Sequence, residues 1–426
     1  MFMKKYDVIV VGGGFAGVAA ALAAAREGSR VLIVEKGNSL GGAAVHALVN
    51  PFMSMTPRIK DGDGLRNAYG GLFKTIHGKL RDRGALRGKT GAMFLEEELK
   101  LILNEMVLEA GIDLLFHSYI FAAEKKDGRI TSISLASKNG VVERCADYFV
   151  DATGDAQLAF LAGCPTTLGR ESDNLCQPMT LCFRIGNVDM ERYLKSEPRL
   201  AEAHKKALEE GLFINPRENI LAFDYPIGNV LHMNTTRVVK LDPTSPEDVT
   251  KAEIIARRQV FEIYDFMKKH ADGLENSFIM MTAAEIGVRE SRMIVGDYVL
   301  TEKDCTSYTE FDDAVCACNY AIDIHNPEGT GTVYYSFPEG KYYTIPYRSL
   351  IPKTVENMLV AGRCISSDHG AQSSYRIMPS VCCIGEAAGV AIALAAKKGG
   401  SVRDVEVKAL QSILKSNGAF IGNKNK

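Results

Sequence analysis

Two short apolar runs near the start of the chain flank an alanine-rich segment with helical spacing. The first run covers residues 6–11 and the second covers residues 30–34, and both are rich in valine and isoleucine. Runs of this length and composition are typical of strands buried on both faces of a parallel sheet. The pattern therefore predicts a strand, a helix and a second parallel strand, as in a doubly wound α/β sheet.

Further apolar and polar patterning predicts that more elements join this sheet. Residues 61–91 are rich in glycine and basic side chains and predict a surface excursion. After it we expect a helix, a strand, three strands of a small antiparallel meander and a returning strand, over residues 93–110, 112–117, 120–123, 130–136, 141–145 and 148–151.

The composition changes between residues 166 and 338, which indicates an inserted α+β region. There we expect strands over residues 183–185 and 235–239 and helices over residues 246–270 and 280–287. Beyond it, residues 358–363 predict another buried strand, and residues 379–397 predict a long helix that packs small residues on one face. The C-terminal part is therefore expected to complete the first sheet.

The turn between the first strand and helix carries the strongest functional signal. Gly12 permits a tight turn, Gly14 allows a pyrophosphate to approach the backbone, and Gly17 allows close packing of helix on strand. The free amides and the dipole at the helix start attract anions. Glu35 ends the second strand about 20 residues later, where a carboxylate accepts hydrogen bonds from a ribose. This spacing predicts a dinucleotide site.

Composition and charge restrict the classes of partner. The chain has 426 residues, 46% of them hydrophobic and 24% charged, with a formal net charge of -2. Proteins that bind nucleic acid or anionic membranes normally carry a basic excess, so we expect neither as a partner. Lys4 and Lys5 precede an apolar stretch, but Asp7 and the glycines argue against a secretory signal. No separate apolar stretch suggests a membrane span, and we expect a cytoplasmic protein.

The cysteines give no metal or disulfide pattern. Ten are scattered without a CxxC pair, so we expect buried thiols in a reducing compartment and no metal site. The Cys316/Cys318 and Cys382/Cys383 pairs lack the spacing of zinc or iron–sulfur ligands. No second GxGxxG follows Asp155, which argues against a dedicated NADPH domain. Any redox reaction of this chain would therefore need an external electron donor or acceptor.

Four separated segments together resemble the FAD-dependent oxidoreductases of the glutathione-reductase-like superfold, in a bacterial branch. They are residues 12–17 with Glu35, residues 41–42, residues 151–155 and residues 359–363, and residues 285–292 and 369–379 are similar to further motifs of that branch. The resemblance implies FAD as the cofactor. It assigns cofactor contacts to Gly12, Gly14, Phe15, Ala16, Gly17, Glu35, Lys36, Gly41, Gly42, Ala152, Gly154, Asp155, Gly362, Arg363 and Ser380.

The resemblance also implies how the chain is divided. Residues 1–165 would form the first part of a Rossmann-like FAD-binding domain with the small meander, residues 166–338 a substrate domain, and residues 339–426 the completion of the FAD-binding domain. Proline near the start of the last long helix suits a first-turn position, and that helix would direct its N-terminus at the flavin.

Several side chains are candidates for the reacting side of the flavin. His369 and Tyr375 are possible proton donors, and Arg376 and Arg289 are possible anion ligands. For residues 289–292 two interpretations stay open: a clamp for a substrate carboxylate, and an ion-pair network between domains. His46 is expected to be a lining or a core histidine rather than to bond covalently to the flavin. Residues 323–327 and 342–348 are further candidates for polar and aromatic lining.

These features predict a dehydrogenase-like oxidoreductase that transfers hydride between flavin N5 and a small organic substrate, anionic or uncharged, bound between domains. Two alternatives stay open, namely an electron-transfer subunit with a protein redox partner and a flavin-bound regulator. The sequence does not identify the substrate, the direction of reaction, the electron carrier or the oligomeric state.

Overall fold

The computed structural model describes residues 6–53, 55, 58–61, 64–88 and 90–424. Lys4 and Lys5 lie outside these residues. The strands are β1 Tyr6–Val11, β2 Val31–Val34, β3 Ile59–Asp61, β4 Gly64–Arg66, β5 Leu86–Arg87, β6 Met93–Phe94, β7 Asp113–Leu115, β8 Tyr119–Lys126, β9 Arg129–Ser137, β10 Gly140–Asp151, β11 Thr166–Leu168, β12 Phe183–Gly186, β13 Ala222–Asp224, β14 Val230–Met233, β15 Phe278–Thr282, β16 Arg292–Ile294, β17 Ala314–Cys318, β18 Ile322–His325, β19 Thr332–Tyr335, β20 Tyr343–Pro346 and β21 Met358–Val360. The helices are α1 Phe15–Arg26, α2 Ala43–His46, α3 Gly71–Asp82, α4 Glu96–Glu109, α5 Gln157–Leu161, α6 Met190–Glu209, α7 Pro246–His270, α8 Glu302–Thr306, α9 His369–Tyr375, α10 Met378–Lys398 and α11 Val407–Ser416, with 3₁₀ turns at Tyr347–Leu350 and Val402–Asp404.

The main sheet confirms the predicted Rossmann-like α/β fold. Its parallel strands lie in the order β7, β2, β1, β10 and β21. The register pairs Val11 with both Val34 and Asp151, and Asp151 with Val360. The carboxyl ends of these strands therefore meet at one edge of the sheet, which is where ligands bind in folds of this kind.

The meander is confirmed, with one difference from its predicted strand boundaries. β8 and β9 pair antiparallel with each other and with the first half of β10. Residues 141–145 and 148–151, predicted as two strands, form the single 12-residue strand β10. Its second half turns from the meander into the parallel sheet, so one strand serves both.

Helices α1 and α10 pack closely on one another because α10 carries glycine at the contact. A Cβ added to Gly385 would lie 2.1 Å from the Ala16 carbonyl oxygen, and one added to Gly389 would lie 2.1 Å from that of Ala20. In the described part of the chain, α10 alone is long and apolar enough to cross a membrane, contrary to the expectation of no such stretch, but 83% of that window is buried inside the protein.

A second hydrophobic core lies around the sheet β13, β14, β12 and β15 and the helices α6 and α7. Helix α7 has the predicted bounds: the Ser245 side chain caps its first turn, and Pro246 occupies the first position. The domain boundaries stay a prediction, and residues between Ile294 and Phe337 pack into the first core.

Two sequence predictions are wrong in this part of the fold. The helix predicted over residues 280–287 is instead the strand β15 followed by irregular backbone, because pairing with β12 outweighs local helix preference. Residues 235–239 form no strand; Thr235 and Thr236 hydrogen-bond through their side chains to the backbone of Leu221 and Leu181.

Part of the predicted surface excursion is also buried. Helix α3 places Leu72, Phe73, Ile76 and Leu80 in the first core, because these apolar residues share one face of the helix. The cysteines follow expectation, since nine of the ten are buried and all ten are free thiols. The described residues contain no group of three or more histidine, cysteine or acidic side chains arranged to hold a metal ion.

Candidate functional site

The glycine turn has a different physical constraint at each of its three positions. Gly12 has φ +104°, and an added Cβ would lie 2.3 Å from the Ala152 carbonyl oxygen. A Cβ on Gly17 would lie 1.8 Å from the Gly12 carbonyl oxygen, so only glycine allows α1 to pack this closely. At Gly14 the nearest atom to an added Cβ is the Gly42 Cα, 3.8 Å away. Fold packing therefore explains Gly12 and Gly17, and it leaves the space beside Gly14 open.

The first turn of α1 offers free backbone donors at this open space. Among the described residues, no side chain caps the helix at Gly14. The Phe15 ring is buried against Phe52 and Phe73, so only its backbone belongs to the site. Gly41 donates its amide to the Gly13 carbonyl oxygen at 2.9 Å, which holds the residue 41–42 loop across the turn. An anion beside Gly14 would meet the positive end of α1.

Glu35 lies beside the glycine turn, as its predicted role requires. Its carboxylate is buried and accepts hydrogen bonds from the amides of Gly13 at 2.6 Å and Gly37 at 2.7 Å. Lys36 is exposed and forms an ion pair with Glu285 at 2.9 Å. Loss of water around Lys36 disfavours its charge, but attraction to Glu285 outweighs this effect and raises the pKa of Lys36.

The segment after β10 is held by two carboxylates with distinct roles. Asp151 is buried and accepts hydrogen bonds from Thr153 and from the amide of Ala159, and burial raises its pKa. Asp155 accepts a 2.6 Å hydrogen bond from Ser291 and forms a 2.6 Å ion pair with Arg363. Burial opposes the charge on Asp155, but Arg363 and Ser291 lower its pKa. Asp155 therefore ties the ends of β10 and β21 together as an ionised group.

The remaining predicted cofactor residues lie at the same edge of the sheet. Gly362 has φ +104°, and a Cβ there would lie 3.5 Å from the Ala16 Cβ. Gly154 has φ +80°, and a Cβ there would meet the Arg363 guanidinium. Ser380 is buried in the first turn of α10, and its hydroxyl donates to the Cys318 sulfur at 3.4 Å. No described side chain caps α10 at Ile377.

A cavity of about 360 Å³ opens at the N-terminus of α10, between the two hydrophobic cores. Ile377 and Met378 form its wall on the α10 side. The polar and charged side chains that line it are Asn50, Thr180, Arg217, Glu218, Asn219, Asn234, Arg289, Tyr320, Asp323, His325, Thr332, Arg363 and Arg376.

Arg289 and Arg376, both predicted, line this cavity. Arg289 donates to the Pro178 carbonyl oxygen at 2.7 Å and to the Thr180 hydroxyl at 2.5 Å. Arg376 donates long hydrogen bonds to Gln177 at 3.4 Å and to the carbonyl oxygen of Asp323 at 3.5 Å. Within the described ranges, neither arginine forms an ion pair with a carboxylate.

Residues 289–291 have irregular backbone, and Arg292 begins the strand β16. The Arg292 guanidinium lies over the Phe160 ring at 4.3 Å and donates to Gln157. Glu290 is fully buried and accepts from His369 Nδ1 at 2.8 Å. Arg289 therefore lies at the cavity, whereas Glu290 and Arg292 contact residues outside the cavity lining.

His369 and Tyr375, the predicted proton donors, are not cavity-lining residues. Tyr375 is fully buried, and its hydroxyl bonds with the Ser367 hydroxyl at 2.7 Å and the Arg363 carbonyl oxygen at 3.2 Å. His369 is held by Glu290 at the start of α9. Residues 369–375 form the largely buried helix α9, which gives these two side chains structural contacts.

His46 lies at the Glu35 end of the site rather than at the cavity. Its Nε2 lies 3.1 Å from the Ser39 carbonyl oxygen, and a Cβ on Gly37 would meet the ring at 2.6 Å. His46 is therefore not one of the residues that line the cavity.

One of the two further candidate stretches reaches the cavity. Asp323 and His325 alternate along β18 and so lie on the same side of the hairpin. Tyr320 donates to Asp323 at 3.0 Å, and His325 Nδ1 lies 3.1 Å from an Arg237 nitrogen. Residues 342–348 do not reach it; Tyr343 bonds to Ser374 and Arg348 pairs with Asp313.

The polar cavity residues that the sequence prediction missed include Arg217, Tyr320, Thr180 and Asn234. Arg217 is buried, 4% exposed, and its Nε donates to Asn219 at 2.9 Å. Burial, with repulsion from Arg237, lowers the pKa of Arg217 to about 10. No local motif marks these residues, since each comes from a different segment of irregular backbone or turn.

A family model and several known proteins match this chain. The family model described as "FAD dependent oxidoreductase" matches residues 7–414. A digeranylgeranylglycerophospholipid reductase of Thermoplasma volcanium is 25% identical over 198 residues, covering 44% of this chain and 49% of that protein. A soluble pyridine nucleotide transhydrogenase of Chromohalobacter salexigens is 31% identical over 160 residues, 36% of this chain and 32% of the relative.

The chain thus spans between a third and a half of the length of these curated relatives. Among solved structures, p-nitrophenol 4-monooxygenase from Pseudomonas putida superposes with a TM-score of 0.48 at 11% identity, over 99% of this chain and 91% of that one.

Proposed function

The chain belongs to the family of FAD-dependent oxidoreductases, as the sequence motifs predicted, and from this premise we propose that it oxidises or reduces a small anionic substrate in the cavity at the start of α10. The cavity carries this proposal, because it brings Arg289 and Arg376 to the uncapped N-terminus of a helix. A positively charged pocket beside the cofactor site suits an anion.

The described residues fit FAD along the whole carboxyl edge of the sheet. The uncapped start of α1 and the open space at Gly14 suit the pyrophosphate, and Glu35 suits the adenosine ribose. The uncapped start of α10 suits the flavin ring, whose reduced form carries negative charge. Bound FAD supplies hydride transfer at its N5 position.

In this proposal the arginines bind and orient the substrate. Arg289 is fixed by the Pro178 carbonyl oxygen and the Thr180 hydroxyl, so its guanidinium is positioned before substrate arrives. A preorganised guanidinium binds a carboxylate with little loss of side-chain entropy. The hydrogen-bonded pair of Tyr320 and Asp323 lies in the same cavity and is the proposed site of proton exchange.

The cavity also favours an enzyme over an electron-transfer subunit. A subunit that exchanges electrons with a protein needs a docking face and no enclosed pocket for a small molecule, whereas this site offers about 360 Å³ between the two cores. In this proposal an external carrier serves as the electron donor or acceptor. Measurements in solution give the oligomeric state.

The test is an anaerobic screen of the purified flavoprotein with pools of hydroxy acids, amines, enoates and sugars. We expect one acidic pool to bleach the oxidised flavin or reoxidise the reduced flavin. Arg289→Ala and Arg376→Ala should slow that reaction at least about 100-fold, equal to about 2.7 kcal/mol, with FAD content unchanged.

Arg81→Ala is the matched control, because Arg81 is exposed on α3, far from the cavity lining. Full activity in either cavity variant would remove that arginine from the proposal. A flavin that responds to no pool, but accepts electrons from a redox protein, would replace the proposed enzyme with the electron-transfer alternative.

A further inference from the structure

We propose that the cavity selects compact organic acids with two carboxylates. This inference rests on the proposed function of the same site and on the balance of charge in the cavity wall.

Two of the six charged side chains of the cavity wall already have a partner. Arg363 is paired with Asp155 at 2.6 Å, and Glu218 is paired with Arg237, which lies behind the wall, at 2.9 Å. Among the residues that the structure describes, the guanidiniums of Arg217, Arg289 and Arg376 and the carboxylate of Asp323 have no oppositely charged partner. Three positive charges against one negative charge leave an excess of two, which a dianion neutralises.

Histidine does not change this balance. His325 is the histidine of the cavity wall, and burial, together with repulsion from Arg289 and Arg376, lowers its pKa far below the ordinary value. Its Nδ1 accepts a hydrogen bond from Arg237, which requires a neutral ring with the proton on Nε2. The histidine is therefore uncharged at physiological pH.

The three unpaired guanidiniums form one electrostatic cluster. Burial first, and then repulsion from Arg376 and Arg217, lowers the pKa of Arg289 to about 9. Like charges gathered in a partly desolvated pocket raise the free energy of the unliganded protein. A bound dianion relieves that repulsion, whereas an uncharged ligand does not.

Two arginines of the cluster keep unused hydrogen-bond donors. Arg217 Nη1 and Arg376 Nε are buried and have no hydrogen-bond partner among the described residues. Arg217 precedes β13 on the side of the second core, whereas Arg376 lies between α9 and α10 on the side of the first. Donors on opposite walls favour a ligand with an anionic group at each end.

The chemistry of these donors favours carboxylates. The planar guanidinium fork matches a carboxylate in two parallel hydrogen bonds. A single phosphate would concentrate its charge at one end and leave the arginine on the opposite wall unmatched. Phosphate esters are therefore the competing ligand class, and the binding experiment includes one.

The experiment titrates the oxidised holoenzyme with dicarboxylates from malonate to adipate, each compared with the monocarboxylate of the same chain length and with glycerol phosphate. Perturbation of the flavin spectrum and the rise in Tm report binding without turnover. At the best chain length we expect the dicarboxylate to bind at least about 30-fold more tightly than its monocarboxylate. Equal affinity, or tighter binding of glycerol phosphate, would overturn the inference.

Arg217→Gln tests the wall opposite α10. We expect it to remove most of the preference for the dicarboxylate while monocarboxylate affinity and FAD content stay the same, and Arg217→Lys should retain part of the preference. Arg81→Gln is the control. A preference unchanged in Arg217→Gln would show that another group binds the second carboxylate and would refute the role of the charge cluster. Should Arg217→Gln fail to fold, the comparison of ligands on the unmodified protein still decides.

Binding and turnover separate the two proposals. A dicarboxylate preference with no flavin reaction toward any pool would refute the proposed function and support the charge argument. Flavin reaction with a monoanion, without a dicarboxylate preference, would support the proposed function and refute the present inference.

Discussion

Replacing Gly14 with valine should separate cofactor binding from folding. Gly14 has φ -71° and ψ -177°, an extended conformation open to any residue, and its added Cβ meets no atom closer than 3.8 Å. Glycine is a better N-cap than valine, so the apoprotein should lose no more than about 1 kcal/mol of stability. The added methyl groups would occupy the open space in which the pyrophosphate is expected.

The loss of FAD affinity should be much larger than the loss of stability. Two hydrogen bonds from backbone amides to a charged pyrophosphate contribute about 1.5–3 kcal/mol each, so displacement costs about 3–6 kcal/mol. That corresponds to about 10²- to 10⁴-fold weaker binding. FAD titration into the apoprotein, followed by flavin fluorescence, measures the affinity, and urea unfolding of the same apoprotein measures its stability.

Two glycine variants serve as comparisons. Gly228→Val places the same side chain where no atom lies within 4 Å, and it should change neither quantity. Gly17→Ala should instead unfold the apoprotein more easily, because its Cβ would lie 1.8 Å from the Gly12 carbonyl oxygen. A Gly14→Val protein that is stable and binds FAD as tightly as the unmodified chain would refute the assignment of the pyrophosphate to this turn.

Three further predictions concern stability and pH. Glu96 is buried between Asn50, Arg184 and Tyr225. Glu96→Gln should lower the free energy of unfolding in urea by about 3–5 kcal/mol, because it leaves the Arg184 charge unpaired. A loss as small as that of exposed Glu97→Gln would contradict this. Burial, and then repulsion from Arg184, lowers the pKa of His232 to about 3 from an ordinary 6.5. Below pH 6.5 the unfolded chain therefore binds a proton that the folded chain does not bind, and the free energy of unfolding falls by about 1.4 kcal/mol per pH unit. Between pH 7 and pH 5 the stability of His232→Gln should therefore fall about 2 kcal/mol less than that of the unmodified protein, and parallel pH profiles would refute the assignment. Gly389→Ala should destabilise the apoprotein by about 1–3 kcal/mol, because its Cβ would lie 2.1 Å from the Ala20 carbonyl oxygen, whereas a Tm as high as that of exposed Lys398→Ala would disprove the close contact.

The parts of the fold that follow local rules could be predicted from the sequence. The turn from Gly12 to Gly17 and the helix from Pro246 to His270 each carry their own start signals and periodicity. The strand β15 does not, because Met280 and Met281 suit a helix locally and are placed in a strand by pairing with β12. Long-range pairing overrides a weak local preference there.

The cavity shows the same division between local and long-range information. Arg376 and Arg289 could be proposed because they lie in segments, residues 369–379 and 285–292, that resemble motifs of the family. Arg217 could not, since what distinguishes it is its approach to Arg289 from a distant segment. Tyr375 is the reverse case: it is a candidate proton donor by sequence, but the helix α9 turns its hydroxyl into the core, toward Ser367. Side-chain direction in such a stretch depends on tertiary packing.

The contact of α1 with α10 has a consequence for biosynthesis. The first helix leaves the ribosome early, yet the glycine face that covers its Ala16 and Ala20 belongs to a helix that begins only at Met378. Until then the nascent chain holds a strand, a turn and a helix whose alanine face is still exposed to water. Contacts between segments so distant in sequence form slowly. Assembly of the helix pair is therefore a late event, and a chain released before Met378 would present that uncovered face to chaperones and proteases.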